Sequence, residues 1–369
     1  MITKNKLKTI IFFFLIIFFF LEFVYPKLFK FDVKIYRYWG DRPVSFFPNS
    51  NLRAISSNYD TKFKTNSLGF NDYEVNNEID ILILGDSFVE GIQIDRNYHF
   101  SEIIKKNFTN LKINKMGMSG YGNAQFFHNY IYFYEKYNPK IIIIIFASND
   151  VTDNFCDINN KNCSSFENLL KIKSTKMLED QIKILKINNR NLEYEFIDTK
   201  KNELKFFNYI IRHYISKFKA YYSIKDIKNK IFSKNNFEKA ATNTNSLKQH
   251  HVHNLFLNKN YVLNYFYQIN NLIYKTIVEK HKKKLLFVTV NKDLNENLNN
   301  VTKHTQDLIA EHMEKMKYDH LYLNPIMIEN YKKYNELPNW DDDKHWNKFG
   351  HEIVGQAITD VLIQKNWLN

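Results

Sequence analysis

With 369 residues, 44% hydrophobic and 16% aromatic, the chain can bury a large core, which excludes disordered, collagen-like and miniprotein classes. Its 52 Lys+Arg against 39 Asp+Glu leave a net charge of +13. The basic residues are spread through a sequence equally rich in Asn, Ile, Tyr and Phe, so drift toward A/T-rich codons accounts for the charge at least as well as a polyanionic partner, and no nucleic acid is expected. Two cysteines are too few for a zinc ribbon or a disulfide framework.

At the amino terminus Lys4, Lys6 and Lys8 precede an apolar run over 10–21. The run ends in Glu22, Phe23, Val24, Tyr25 and Pro26, with none of the small residues that a signal-peptide cleavage site needs. Residues 9–25 are at the short end of the roughly 17–25 residues that span a bilayer. Residues 1–26 are therefore expected to be a cytoplasmic stub and uncleaved transmembrane signal anchor, with the lysine side in the cytoplasm. That makes the protein single-pass, with the remainder periplasmic or at the cell surface.

Residues 27–78 show little periodicity and read as a juxtamembrane lead-in. From 79 onward the pattern is regular. Residues 79–84 (IDILIL), 111–116, 140–146 (KIIIIIF), 284–290 (KLLFVTV) and 320–323 read as strands. Residues 99–108, 123–137, 262–282, 300–315 and 349–364 read as helices. Apolar strands alternating with helices imply an α/β fold with a central parallel sheet covered on both faces, over 79–369. Between 157 and 261 the alternation is lost, and this Lys- and Asn-rich stretch reads as a partly helical insertion.

Open parallel sheets bind ligands at the carboxyl ends of their strands. The first strand here runs into Gly85-Asp86-Ser87-Phe88, the second into Gly117-Met118-Ser119-Gly120, and the third into Ala147-Ser148-Asn149-Asp150. Asp342-Asp343-Lys344-His345 precedes the closing helix. A serine at a tight strand-to-helix turn exposes its hydroxyl, and a glycine lets a backbone N–H approach a substrate oxygen. An asparagine amide donates a further hydrogen bond. A hydroxyl becomes a nucleophile only when a base takes its proton, and His345 is the candidate base.

In these four blocks the sequence resembles the SGNH hydrolases, the GDSL lipase/esterase family. Residues 66–70 (NSLGF) are also similar to the lead-in of many bacterial members. The resemblance covers about 79–150 and 284–364. It departs at Ala147, where the family carries glycine; an alanine fits there if its φ is negative. The resemblance implies a three-layer α/β/α flavodoxin-like fold. It implies a Ser87, Asp342, His345 triad, with Asp341 and Asp343 as competing carboxylates. It also implies an oxyanion hole from the Ser87 and Gly120 N–H groups and the Asn149 side chain. The expected activity is hydrolysis of acyl esters, acetyl first, of a carbohydrate or lipid, through an acyl-serine and without cofactor or metal. Alternatives are transfer of an acetyl group to a polysaccharide hydroxyl, and a catalytically inactive envelope binding module.

Cys156 and Cys163, in an oxidising compartment, are expected to pair, closing a short loop worth about 2–3 kcal/mol. His250, His251 and His253 have metal-like spacing but no nearby carboxylate in sequence, and His99 and His128 read as structural.

Overall fold

Isoleucine-rich runs form the middle of the molecule. The computed structural model describes residues 4–28, 32–37, 39, 41–75, 78–155, 182, 184–188, 193–196, 218–232, 251–290, 300–341 and 344–368. The chain begins with α1 (Lys4–Phe19), a π turn (Phe20–Val24) and α2 (Tyr25–Leu28). Two antiparallel pairs follow: β1 (Tyr36–Arg37) with β2 (Ser45–Phe46), and β3 (Asn51–Ile55) with β4 (Asp60–Lys64). Next come β5 (Ile81–Gly85), α3 (Ser87–Glu90), α4 (Phe100–Asn107), β6 (Ile113–Gly117), α5 (Asn123–Tyr137), β7 (Ile141–Phe146) and α6 (Asp150–Asp153). A hairpin of β8 (Leu185–Asn188) and β9 (Glu193–Phe196) precedes α7 (Lys219–Phe232) and α8 (His251–Tyr274). The chain closes with β10 (Lys284–Thr289), α9 (Asn300–Lys315), β11 (His320–Tyr322), α10 (Leu323–Tyr334) and α11 (Lys348–Gln364).

The central sheet has the order β11-β10-β7-β5-β6, and every pairing in it is parallel. In sequence order of its strands this is the flavodoxin-like 2-1-3-4-5, whose crevice opens where β5 and β7 part. The period-2 alternation of a strand sorts the side chains onto two faces. Ile81, Ile83, Ile141, Ile143 and Ile145 point to one face, packing with Phe100 and Ile104 of α4 and Val354 and Ile358 of α11. Leu82, Leu84, Ile142, Ile144 and Phe146 point to the other, packing with Phe126 and Tyr130 of α5 and Phe266 and Ile269 of α8. Both faces are dry, and the central strands β5 and β7 carry no polar side chain.

The helices and strands expected from 79 onward are present, and three local readings need correction. The spanning helix expected at the amino terminus is not found: no helix among the described residues is long and apolar enough to cross a membrane. α1 has 16 residues, and its first turns are taken by Lys4, Lys6 and Lys8. The apolar run of 10–21 rises only about 18 Å as a helix, against about 30 Å of hydrocarbon. Glu22 also faces the protein, its carboxylate accepting the Ala220 N–H (2.7 Å) at the start of α7, while Ser223 Oγ donates to Leu21 O (2.7 Å).

The lead-in carries β1 to β4, and its Phe46, Phe63 and Phe70 are buried in the main core. α8 begins at His251, inside the stretch read as insertion. α10 is an additional helix that was not among those expected; Pro325 lies in its first turn, where the missing N–H costs no helical bond.

Candidate active site

Ser87 opens α3 directly after β5, at the crevice between β5 and β7. The turn is held by Asp86, the residue that caps α3: its Oδ1 accepts the Phe88 N–H (2.9 Å), and its Oδ2 lies 3.3 Å from Ser87 Oγ. At the next strand end, Gly117 packs so closely beneath α3 that a Cβ there would meet the backbone of Val89 and Glu90. Gly120 has φ +78°, and its position is open. Neither the Ser87 nor the Gly120 N–H is taken up by a hydrogen bond among the described residues. Both are therefore unengaged donors.

His345 approaches from the other end of the chain. Its carbonyl accepts the Trp340 N–H (2.8 Å), and Asn347 caps α11 by accepting the Gly350 N–H (3.0 Å). The loop between them brings His345 Nε2 to 2.7 Å from Ser87 Oγ. That is hydrogen-bond distance from base to nucleophile, as general-base chemistry requires. Asp342 and Asp343 lie outside the described residues. Asp341 is exposed and makes no hydrogen bond to His345.

Asn149 lies against Asp86, the residue before Ser87, and its amide is engaged. Nδ2 donates to Asp153 Oδ2 (2.8 Å) and Asp86 Oδ2 (3.2 Å), with Asp150 Oδ1 at 3.4 Å. To serve an oxyanion it must share one of these protons. Asp150 is fully buried, and its Oδ2 accepts the Ala147 N–H (2.9 Å). Burial, then the charges of Asp86 and Asp153, push the Asp150 carboxyl well above the usual carboxylate range. Ala147 is buried and is not among the residues with positive φ, so its methyl is accommodated.

Two groups at the site were missed in the sequence. Glu90 is buried at the end of α3, and its carboxylate accepts the Ser119 hydroxyl (2.6 Å) and N–H (3.3 Å). Lys115 is buried under the same turn, donating to Val89 O (3.1 Å) and Glu90 O (3.0 Å), and burial lowers its pKa to about 8. The available signal was a charge inside an otherwise apolar strand or turn. Cys156, Cys163, His250 and the side chains of His251 and His253 lie outside the described residues. Among the described residues, no group of three His, Cys, Asp or Glu side chains could hold a metal ion.

The sequence matches no family model and no curated protein. Among solved structures, the chain is similar to a member of the lipolytic protein G-D-S-L family from Veillonella parvula DSM 2008. The two share 8% identity and a TM-score of 0.36, over 78% of this chain and 99% of that one. It is similar to the psychrotrophic esterase EstA from Pseudoalteromonas sp. at 10% identity and TM-score 0.36, over 80% of this chain and 100% of that one. It is likewise similar to the acetyl xylan esterase AlAXEase at 10% identity and TM-score 0.37, over 76% of this chain and 99% of that one.

Proposed function

We propose that the protein is a serine ester hydrolase of the SGNH type, cleaving acyl esters, acetyl first, of a carbohydrate. The observation that carries this reading is the 2.7 Å contact between His345 Nε2 and Ser87 Oγ, beside two N–H groups open to an oxyanion. As Ser87 attacks the acyl carbonyl, His345 takes its proton. The negative charge formed on the carbonyl oxygen is met by the Ser87 and Gly120 N–H groups and by Asn149. Collapse expels the alcohol, which receives the proton from His345, and a water deprotonated by the same nitrogen then releases the acid. Asp342 is assigned to hold the imidazole in its reactive tautomer, a role that leaves the carboxylate ionised. Each oxyanion donor is worth about 2.7–4 kcal/mol in the transition state.

A carbohydrate is favoured over a lipid by the surface next to the base loop. An open cavity of about 460 Å³ there is lined by Tyr331 and Trp340 together with four asparagines and by Glu336, Leu337 and Asp341. An aromatic face with amides around it suits a polyhydroxylated ring better than an acyl chain.

The large side chains from Ile10 to Phe20 are exposed, behind Lys4, Lys6 and Lys8. They support attachment to a membrane through this segment. Aryl esters of graded chain length, an acetylated polysaccharide and a fluorophosphonate label on the full chain test the chemistry. Acetate release with labelling at Ser87 is expected; no labelling and no ester cleavage would overturn it. Carbonate extraction and external protease digestion of cells test the attachment.

A further inference from the structure

Glu90 is an ionisable group that the proposed chemistry does not use. It is 1% exposed, and burial raises its pKa. Taking a carboxylate out of water is costly unless its oxygens are matched by donors. Here both oxygens go to a single residue: Oε1 accepts the Ser119 N–H and Oε2 the Ser119 hydroxyl. Ser119 is itself exposed and immediately precedes Gly120.

The backbone around Glu90 is fixed from two sides. Lys115 Nζ holds the Val89 and Glu90 carbonyls, and Asn71 Nδ2 donates to Glu90 O (3.0 Å). Lys115 is in turn held from the lead-in, where Asp72 Oδ2 accepts its N–H (2.8 Å) and the Asn114 amide (3.0 Å). One four-residue helix therefore carries the nucleophile at its first position and, at its last, a carboxylate gripping the loop that offers the second oxyanion donor. A Cβ on Gly120 would meet nothing within 4 Å, and the turn that carries it is closed by the Tyr121 N–H donating to Met118 O (3.1 Å). The grip on Ser119 is the side-chain hold inside that turn.

We infer that Glu90 is a positioning residue for the oxyanion hole, fixing Ser119 so that the Gly120 N–H faces the oxygen of an acyl group on Ser87. The inference rests on the serine-hydrolase reading. It assigns to Glu90 an effect on the transition state and little effect on binding the ground state. The test measures kcat and KM with an aryl acetate, and the fluorophosphonate labelling rate, for the full chain and for Glu90→Ala, Glu90→Gln, Ser119→Ala and the Glu90→Ala/Ser119→Ala pair.

Losing alignment of one donor lowers kcat by about a hundredfold, with KM within about threefold. Labelling slows in parallel, because its adduct also places an oxygen in the hole. Glu90→Gln keeps one acceptor and recovers part of the loss. Ser119→Ala loses only the hydroxyl bond and costs less. The pair costs no more than Glu90→Ala alone, since both act through one contact. Folded Glu90→Ala with kcat within about threefold of the parent would overturn the inference, as would losses that simply multiply. If Glu90→Ala does not fold, Glu90→Gln and the exposed Ser119→Ala decide it by the same readouts. A parent chain with neither labelling nor ester cleavage would instead sink the serine-hydrolase reading.

Discussion

The Phe88 ring meets the Trp346 indole edge-on with centroids 4.7 Å apart, so the residue after Ser87 packs on the residue after His345. The same ring lies 5.0 Å from the His345 imidazole. Trp346 is buried, and this packing is what seats the base loop over α3. Trp346→Ala is expected to cost about 3–5 kcal/mol of stability. It should also lower kcat more than tenfold at temperatures where the variant is still folded, with Trp346→Phe closer to the parent. Full kcat in folded Trp346→Ala would show that the loop is seated by its hydrogen bonds alone.

Ser87→Ala removes one hydroxyl at the mouth of the crevice and leaves α3 intact. Ester cleavage is expected to fall by several orders of magnitude with melting temperature nearly unchanged. Residual turnover within about tenfold of the parent would point to a different nucleophile. Among the carboxylates, Asp342→Asn is expected to cost orders of magnitude and Asp343→Asn much less. The reverse ranking would move the triad carboxylate to Asp343.

Two glycines of one loop predict opposite phenotypes. A Cβ on Gly117 would run into the backbone of Val89 and Glu90, which cannot give without moving α3. Gly117→Ala should therefore lower stability by several kcal/mol and abolish activity with it. At Gly120 there is room, and only the positive φ resists. Gly120→Ala should cost about 1 kcal/mol of stability while lowering kcat through the shifted N–H. Thermal melts beside kinetics separate the two cases.

Behind the site, His99 and His351 are fully buried with ring centroids 4.7 Å apart. Burial, then the charge of Lys115, holds both pKa values well below the ordinary 6.5. An imidazole with a lowered folded-state pKa contributes stability that is complete above the unfolded value and is lost as pH falls below about 6.5. The urea midpoint is expected to drop between pH 7.5 and pH 5. His351 Nδ1 accepts the Phe100 N–H (3.3 Å), a role an asparagine oxygen can fill, so His351→Asn should flatten that drop. An unchanged slope in the variant would place the acid sensitivity elsewhere.

The sequence was most legible where local and tertiary preferences agree. Gly122 caps α5 at one end and Pro139 follows at the other, so both bounds of that helix match the expectation. The run 141–146 can only be a strand dry on both sides. The lead-in was opaque because its strands are two to five residues long and its core side chains, Phe46, Leu52 and Phe63, are scattered among polar residues. Ser87, Gly120, Asn149 and His345 stood out because chemistry needs those types at strand ends. Glu90 did not, since a lone acid in sequence reads as solvated. The bonds from Asn149 to Asp86 and Asp153 are tertiary facts that spacing does not encode.

Ser87 and His345 are 258 residues apart, and the strands of the sheet lie side by side in the order 2-1-3-4-5. β5, β6 and β7 can pair as soon as the first 146 residues are made, whereas β10, β11 and α11 come last. Such long-range parallel pairing is slow to form. Ser87 therefore meets His345 only after the stretch through α11 has been made and docked. Until that moment the newly made polypeptide holds a hydroxyl with nothing to take its proton. On the serine-hydrolase reading, turnover becomes a report on the docking of the stretch from β10 through α11.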